Sequence, residues 1–445
     1  MSEPIHASGP VVGQGSADVY AVVPAGESLS AVVHVPGSKS VANRALVCAA
    51  LSDGLSELHG VAPGDDTAAM LDCLRLLGVG VGAGVGAGSD RGDLVLVEGT
   101  GGLFTPGPTT LPTRLAGTTS RFVTALAALG GGPFTIDGLP PLRQRPMTPL
   151  HDALASLGAR VEPGERWGHL PVTVIGPLDR STGHVSIRGD VSSQYISALM
   201  MIGPCLPSGL RIQLTTPLVS RSYLGITAAV MASFGIVGVV IDGDAVMVPA
   251  GTYRPTRYTV EPDASSASYP LAAAAIVGGT VHVPGLTQAS LQGDARFVDA
   301  LGDMGCEVVV NGRGTTVTRE GPLRGIDIDM VDMSDLVPTL AVVAPFAHTA
   351  TTIRGVGFIS SKESDRLGDL CNELRRVGVR ATETDDGLVI LPGHPHGARL
   401  ATHHDHRLAM SFALLGLVTE GIEVEDPSVV SKSWPDYWQM IEELT

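Results

Sequence analysis

Apolar residues recur at i, i+3, i+4 and i+7 in six short stretches of the chain: Met70–Gly78, Leu150–Gly158, Ile226–Gly235, Phe297–Gly305, Leu370–Gly378 and, more weakly, Tyr437–Leu444. That spacing gives a helix one apolar stripe, and the Gly closing the first five is the residue that stops a helix with least strain. A Val-bearing strand follows each Gly, and the copies lie roughly 70–80 residues apart. A second echo links Gly189-Asp-Val-Ser-Ser-Gln-Tyr195 with Pro262-Asp-Ala-Ser-Ser-Ala-Ser-Tyr269, each leading into an apolar helix. The pattern predicts an α/β protein of six units, three per half. The halves should meet near Arg254–Glu261, where Pro255 and a Tyr-Thr-Val strand precede the second echo. Residues 1–19 show neither periodicity and read as a flexible leader, so the fold is expected to begin near Tyr20.

Composition narrows the class. A length of 445 residues suits two large domains, and 44% hydrophobic against 17% charged residues excludes a disordered chain. With 56 Gly and 31 Pro, short elements joined by tight turns are expected. No run of about eighteen apolar residues is free of breaks, and the N-terminus lacks a basic segment followed by an apolar one, so neither a membrane span nor a secretory signal is read. Cys48, Cys73, Cys205, Cys306 and Cys371 are scattered and mostly flanked by apolar residues, which suits thiols of a cytoplasmic protein. A formal charge of −16 argues against nucleic-acid binding. The few cations are nonetheless concentrated in short motifs beside Gly and Ser.

In Pro36-Gly-Ser-Lys-Ser-Val-Ala-Asn-Arg44 a strand ends and a helix is expected to begin around Val41, with Ser40 as N-cap and Arg44 a turn further on the same face. Lys39, Arg44 and backbone amides would then converge on an anion. Leu115-Ala-Gly-Thr-Thr-Ser-Arg121 places Gly117, where backbone can approach a ligand, ahead of an Ala-rich helix. Arg143 and Arg145 share a Pro-bounded loop, close enough to repel, which suits an anionic partner for at least one, although solvation at the surface would also serve. Ser192-Ser-Gln-Tyr195 and Ser220-Arg-Ser-Tyr223 offer neutral donors at helix starts. In Ser361-Lys-Glu-Ser-Asp-Arg366, helical spacing sets Glu363 and Lys362 within reach of Arg366, and a carboxylate held between cations keeps its charge and orientation. His403-His-Asp-His-Arg407 could suggest a metal, but no distant ligand motif completes a set, and an Arg and His opening an apolar helix fit an anion better. Lys432 stands in a polar loop near the end. Such cation clustering on an acidic chain suits small substrates rich in phosphate and carboxylate.

The ordered set PGSKSVANRAL, LAGTTSR, RQRPM, GDVSSQY, PDASSASY, KESDRL, DHRLAM and KSWPDYW resembles the EPSP synthase (3-phosphoshikimate 1-carboxyvinyltransferase) family of enolpyruvyl transferases, from about Pro36 to Trp438. The resemblance implies a two-domain inverted-barrel fold of six βαβαββ repeats, with residues 39–258 inserted in a second domain of 20–38 plus 259–445 and hinges near Val35–Ser38 and Thr259–Pro262. It implies a monomer that transfers the enolpyruvyl group of phosphoenolpyruvate to 3-phosphoshikimate without cofactor or metal, in the shikimate pathway that glyphosate blocks. By the same carry-over Ser40, Arg44, Ser192, Ser193, Ser220 and Lys362 hold phosphoshikimate. Lys39, Gly117, Arg145, Arg366, Arg407 and Lys432 hold phosphoenolpyruvate and Gln194 lies between, with Arg121 a further candidate for phosphoenolpyruvate and Tyr223 for phosphoshikimate. Asp335, Glu363 and Lys39 are the implied acid/base groups. Phe358 stands where the family usually has Asn or His, Leu115 where it often has Asn, and Phe122 where it often has Pro. Those departures leave open a relative acting on another cyclic alcohol. A UDP-N-acetylglucosamine enolpyruvyl transferase would need a Cys within Arg114–Ser120, and none is there; a silent anion-binding protein would not be expected to keep both carboxylates.

Overall fold

The computed structural model describes residues 18–84, 94–179 and 181–445. Residues 1–17 of the expected leader lie outside the described residues. The fold takes up the chain at Val19, one residue earlier than expected, because Val19–Ala21 pairs antiparallel with Ile422–Glu425.

One hydrogen-bond plan recurs in the sheets. Thr109–Pro112 runs parallel to Pro133–Asp137, which pairs antiparallel with Val172–Ile175, and that strand pairs antiparallel with Arg160–Pro163. His184–Ile187, Leu210–Leu214, Ala245–Val248 and Val240–Asp242 follow the same order, as do the strands from Asp327–Asp329 to Ala381–Thr384. Two sheets borrow their parallel strand from far away in sequence. Asp53–His59 takes Arg257–Thr259, and Gly279–Pro284 takes Leu29–Val32. The last sheet has three strands among the described residues, with Ala398–Leu400 parallel to Ile422–Glu425 and Val19–Ala21 completing it. Among the described residues five sheets thus repeat one four-stranded plan and the sixth keeps three of its strands, which matches the six α/β units read from the periodicity and the βαβαββ repeat implied by the resemblance.

The helices form two sets. The six read from their apolar stripes are present, as Asp65–Leu76, Thr148–Ser156, Ser222–Ser233, Phe297–Asp303, Arg366–Arg376 and Tyr437–Glu443. Gly78, Gly158, Gly235, Gly305 and Gly378 all take positive φ, between 82 and 112°, as helix-stopping residues should. Apart from the four-residue helix Pro140–Arg143, the other six among the described residues are buried on nearly every side: Lys39–Leu51, Gly117–Ala127, Ser193–Ile202, Ala264–Val277, Val337–Val343 and His406–Gly416. The two halves of the Asp-x-Ser-Ser echo start such helices differently. Asp263 caps its helix by accepting Ser265 N and Ser266 N, whereas Ser192 caps the other by accepting Gln194 N, and Asp190 pairs with Arg188.

Apolar side chains gather into two cores. One is drawn from Val41 to Val260, the other from Val22–Val33 together with Ala264–Leu444. The chain crosses between them twice, and the crossings touch. Ser38 N donates to Glu261 O and Asp263 N to Pro36 O, both at 2.8 Å. Gly37 fits there only because it lacks a side chain, since a Cβ would stand 1.9 Å from Gly60 O.

Candidate active site

The buried helices point their N-terminal ends, the electropositive ones, at a common place. Lys39, Gly117, Ser193, His406 and Arg407 all lie in the first turns of such helices, and all line a cavity of about 50 Å³ between the two cores. Asp335, two residues before the Val337–Val343 helix, lines it too. So do Ser40, Arg145, Ser192, Gln194, Ser220, Tyr223, Lys362, Glu363 and Arg366. Most residues singled out from sequence therefore meet at one cavity.

Arg366 organises the site. Its guanidinium is 1% exposed and serves three carboxylates: Nη1 to Asp335 Oδ1 at 2.9 Å, Nη2 to Glu363 Oε2 at 2.6 Å, and Nε to Asp405 Oδ2 at 2.6 Å. Glu363 Oε1 faces Arg145 Nη1 at 3.2 Å and Lys432 Nζ at 3.5 Å. Asp335 Oδ2 accepts Arg407 Nη2 at 2.8 Å, its Oδ1 is 3.8 Å from Lys362 Nζ, and Tyr223 donates to it at 3.5 Å. Burial alone would push both carboxyls up. At Glu363, Arg366, Arg145 and Lys432 outweigh it and hold the group well below the usual carboxylate range; at Asp335, Arg407, Lys362 and Arg366 do the same. Both are therefore ionised. Burial, opposed by Asp335, lowers the Lys362 ammonium. Burial and then Lys39, Lys432 and Arg407 keep His406 well below its ordinary value, so it is a neutral imidazole.

Local geometry departs from expectation in three places. The first helix starts at Lys39, not near Val41, so Ser38 rather than Ser40 holds the N-cap position. Its side chain makes no capping bond there. Asp263 from the other core accepts Lys39 N at 3.2 Å instead. Second, Arg44 does not converge with Lys39. It is 1% exposed, donates to Thr227 Oγ1 at 2.7 Å and to Ser40 O at 2.8 Å, and lies over the Phe122 and Tyr223 rings. Third, Lys362 and Glu363 precede the helix, because Asp365 caps it by accepting Gly368 N and the helix opens at Arg366. The Glu363–Arg366 pair forms all the same.

Other placements refine the reading. The neighbouring arginines part company, Arg143 to Asp137 at 2.7 Å and Arg145 to Glu363. Arg121 is buried behind the cavity, donating to Gly117 O at 2.9 Å. Lys432 reaches Glu363 without lining the cavity. A Cβ on Gly117 would stand 2.6 Å from Arg145 Nη1 and 3.0 Å from Arg121 Nη1, so its smallness makes room for two guanidiniums. Of the three departures from the family pattern, Leu115 and Phe122 pack in the core, whereas Phe358 lines the cavity with Lys362 Nζ 5.7 Å from its ring centre. Sequence reasoning missed Asp66, which pairs with Lys39 at 2.9 Å, and Asp405. Asp66 looks like any acid opening a helix, and nothing local marks its partner. Asp405, directly before an apolar helix, carried a capping signal that could have found it. Asp294 was missed too, a buried carboxyl bonded to Ser265 Oγ beside Arg407.

The architecture recurs in solved structures. EPSP synthase from Acinetobacter baumannii superposes with a TM-score of 0.80 at 23% identity, covering 96% of this chain and 98% of that one. The enolpyruvyl transferase NikO from Streptomyces tendae does so with a TM-score of 0.75 at 18% identity, covering 96% and 97%. The fold is that of the enolpyruvyl transferases. The family model of EPSP synthase (3-phosphoshikimate 1-carboxyvinyltransferase) matches residues 23–441. A protein named 3-phosphoshikimate 1-carboxyvinyltransferase from Trichormus variabilis is 40% identical over 422 residues, 95% of this chain and 98% of that one. One of the same name from Syntrophobacter fumaroxidans is 41% identical over 419 residues, covering 94% and 97%. The chain belongs to the EPSP synthase family.

Proposed function

We propose that the chain transfers the enolpyruvyl group of phosphoenolpyruvate to the 5-hydroxyl of 3-phosphoshikimate and releases phosphate, working as a cytoplasmic monomer. One observation carries the reading beyond family membership. Two ionised carboxylates, Asp335 and Glu363, sit on two nitrogens of a single buried guanidinium and are ringed by cations from both cores. Asp335 or Glu363 takes the 5-hydroxyl proton as that oxygen bonds to C2 of phosphoenolpyruvate, while the Lys39 ammonium, or Glu363 once it holds the hydroxyl proton, delivers a proton to C3. The tetrahedral intermediate then loses phosphate from C2 and returns a proton from C3 to the group that supplied it, which restores the double bond. Lys39, Arg145, Arg366, Arg407 and Lys432 stabilise the charge that gathers on the departing phosphate. Ser40, Ser192, Ser193, Ser220 and Lys362 line the cavity and hold the acceptor, with Gln194 between the substrates, while the buried Arg44 supports Ser40 from behind through its carbonyl. A cavity of about 50 Å³ is smaller than either substrate, which supports entry through separation of the two halves, 39–258 against 20–38 plus 259–445.

Phosphate release from phosphoenolpyruvate, measured with and without 3-phosphoshikimate, tests this. Acceptor-dependent release is expected, and none at millimolar substrates would overturn it. Phe358 favours a second reading, an acceptor ring lacking one hydroxyl on the side that faces the aromatic. Faster release with such an alcohol than with 3-phosphoshikimate would select it.

A further inference from the structure

The chain enters the Arg407 helix through two successive left-handed residues, His403 at φ 50° and His404 at φ 58°. Neither is glycine, and side chains with a β-carbon hold that conformation only where the surroundings compensate. At His403 the compensation is visible. Its Nε2 donates to Glu373 Oε1 at 3.1 Å, and its Nδ1 lies 3.5 Å from Asp369 Oδ1. Asp369 and Glu373 are one turn apart on the Arg366–Arg376 helix, along the face that also carries Arg366. Glu373 is buried, and its other oxygen accepts Ala401 N at 3.1 Å. Two turns away on that face Arg366 grips Asp405, which accepts Arg407 N at 2.9 Å. The segment from Ala401 to Arg407 is thereby laid along one helix and fixed at both ends. On the exposed side His404 Nδ1 is 3.3 Å from Asp426 Oδ2, and Asp426, itself at φ 43°, opens the turn that carries Lys432.

We propose that His403 is a positioning residue for enolpyruvyl transfer: its imidazole, bridging Glu373 and Asp369, holds the left-handed turn that aims Arg407 at Asp335. It does not line the cavity and acts through Arg407. His404 is a weaker, solvent-facing tie to the Lys432 segment. The alternative is that only the shape of the turn matters. Glycine takes up φ 50° without strain, so it would then serve as well as histidine.

The inference rests on the proposed reaction for its kinetics, and the variants His403→Gly and His403→Asn separate the readings. Glycine keeps the backbone and removes the bridge; asparagine tolerates the left-handed region and keeps a donor. For His403→Gly we expect a melting temperature no lower than wild type and a KM for phosphoenolpyruvate raised about tenfold. The KM for 3-phosphoshikimate should stay within about twofold, and His403→Asn should recover most of the loss. Wild-type kinetics in His403→Gly, or equal loss toward both substrates with a fallen melting temperature, would overturn the proposal. Should wild-type protein release no phosphate, the proposed reaction fails by itself. The positioning role is then read from phosphoenolpyruvate titrated against tryptophan fluorescence: tenfold weaker binding in His403→Gly sustains it and equal binding overturns it.

Discussion

Replacing Asp294 with asparagine should make the protein more stable at pH 8 while changing little at pH 4. Asp294 is 5% exposed, and burial first, then the negative charge of Asp335, pushes its carboxyl from 3.8 up to about 7, although Arg407 and the Ser265 hydroxyl pull the other way. The folded protein therefore holds a proton that the unfolded chain gives up near pH 4. Stability is whole below that value and falls as pH rises to about 7. At about 1.4 kcal/mol per pH unit the full loss is roughly 4 kcal/mol, of which most, roughly 3 kcal/mol, lies between pH 5 and pH 8. Asp335 and Glu363, held low, act in the opposite sense: their stabilisation is present above the usual carboxylate range and disappears only in acid, outside this window. Asparagine keeps an oxygen for the Ser265 hydroxyl and never ionises. Urea unfolding followed by Trp434 and Trp438, which lie in the same core as the Asp294 segment, reports the free energy at each pH. The expected result is a wild type that loses roughly 3 kcal/mol more than Asp294→Asn between pH 5 and pH 8. Parallel pH profiles, differing by less than about 1 kcal/mol, would refute the reasoning.

Three further outcomes follow from the site. Lys39→Met should cut turnover at least a hundredfold; because it strands the buried Asp66, Lys39→Met/Asp66→Asn should regain melting temperature but not turnover, and regained turnover would remove Lys39 from the chemistry. Gly117→Ala should displace Arg145 and raise KM for phosphoenolpyruvate more than KM for 3-phosphoshikimate, whereas a large drop in melting temperature with equal effects would mean that the glycine serves only the helix start. Phe358→Asn should lower KM for 3-phosphoshikimate if the aromatic denies a hydroxyl its partner, and an unchanged KM would place the acceptor ring elsewhere.

Half of the helices were legible as periodic stripes, because each has a solvent face. The other half have none. In Lys39–Leu51 every residue from Val41 onward is buried, so hydrophobicity has no period to read and only the motif before the helix announces it. The Val337–Val343 helix had no such announcement beyond the Asp335 motif. The cations of the site were legible because they are scarce on an acidic chain. Their carboxylate partners were less so, since Asp66 and Asp294 resemble ordinary helix-opening acids and meet Lys39 and Arg407 only through tertiary packing. Arg44 shows the converse limit: the spacing placed it correctly on the helix but could not tell that Thr227 and Ser197 would claim it.

The touching crossings also bear on how the chain comes together as it is made. Strands Val19–Ala21 and Leu29–Val32 leave the ribosome long before their partners, Ile422–Glu425 and Gly279–Pro284. The stretch between the crossings is continuous and can fold on emergence, while the early strands wait unpaired. Once Ser38 meets Glu261, the whole intervening stretch is a loop closed at its neck. Closure entropy of a flexible loop grows only as the logarithm of its length, and the folded insert has already met it, because Arg257–Thr259 pairs with Asp53–His59 and draws the two ends of the stretch together. The outer half can thus be assembled last, around a partner already formed, and its late pairing is the step most exposed to aggregation.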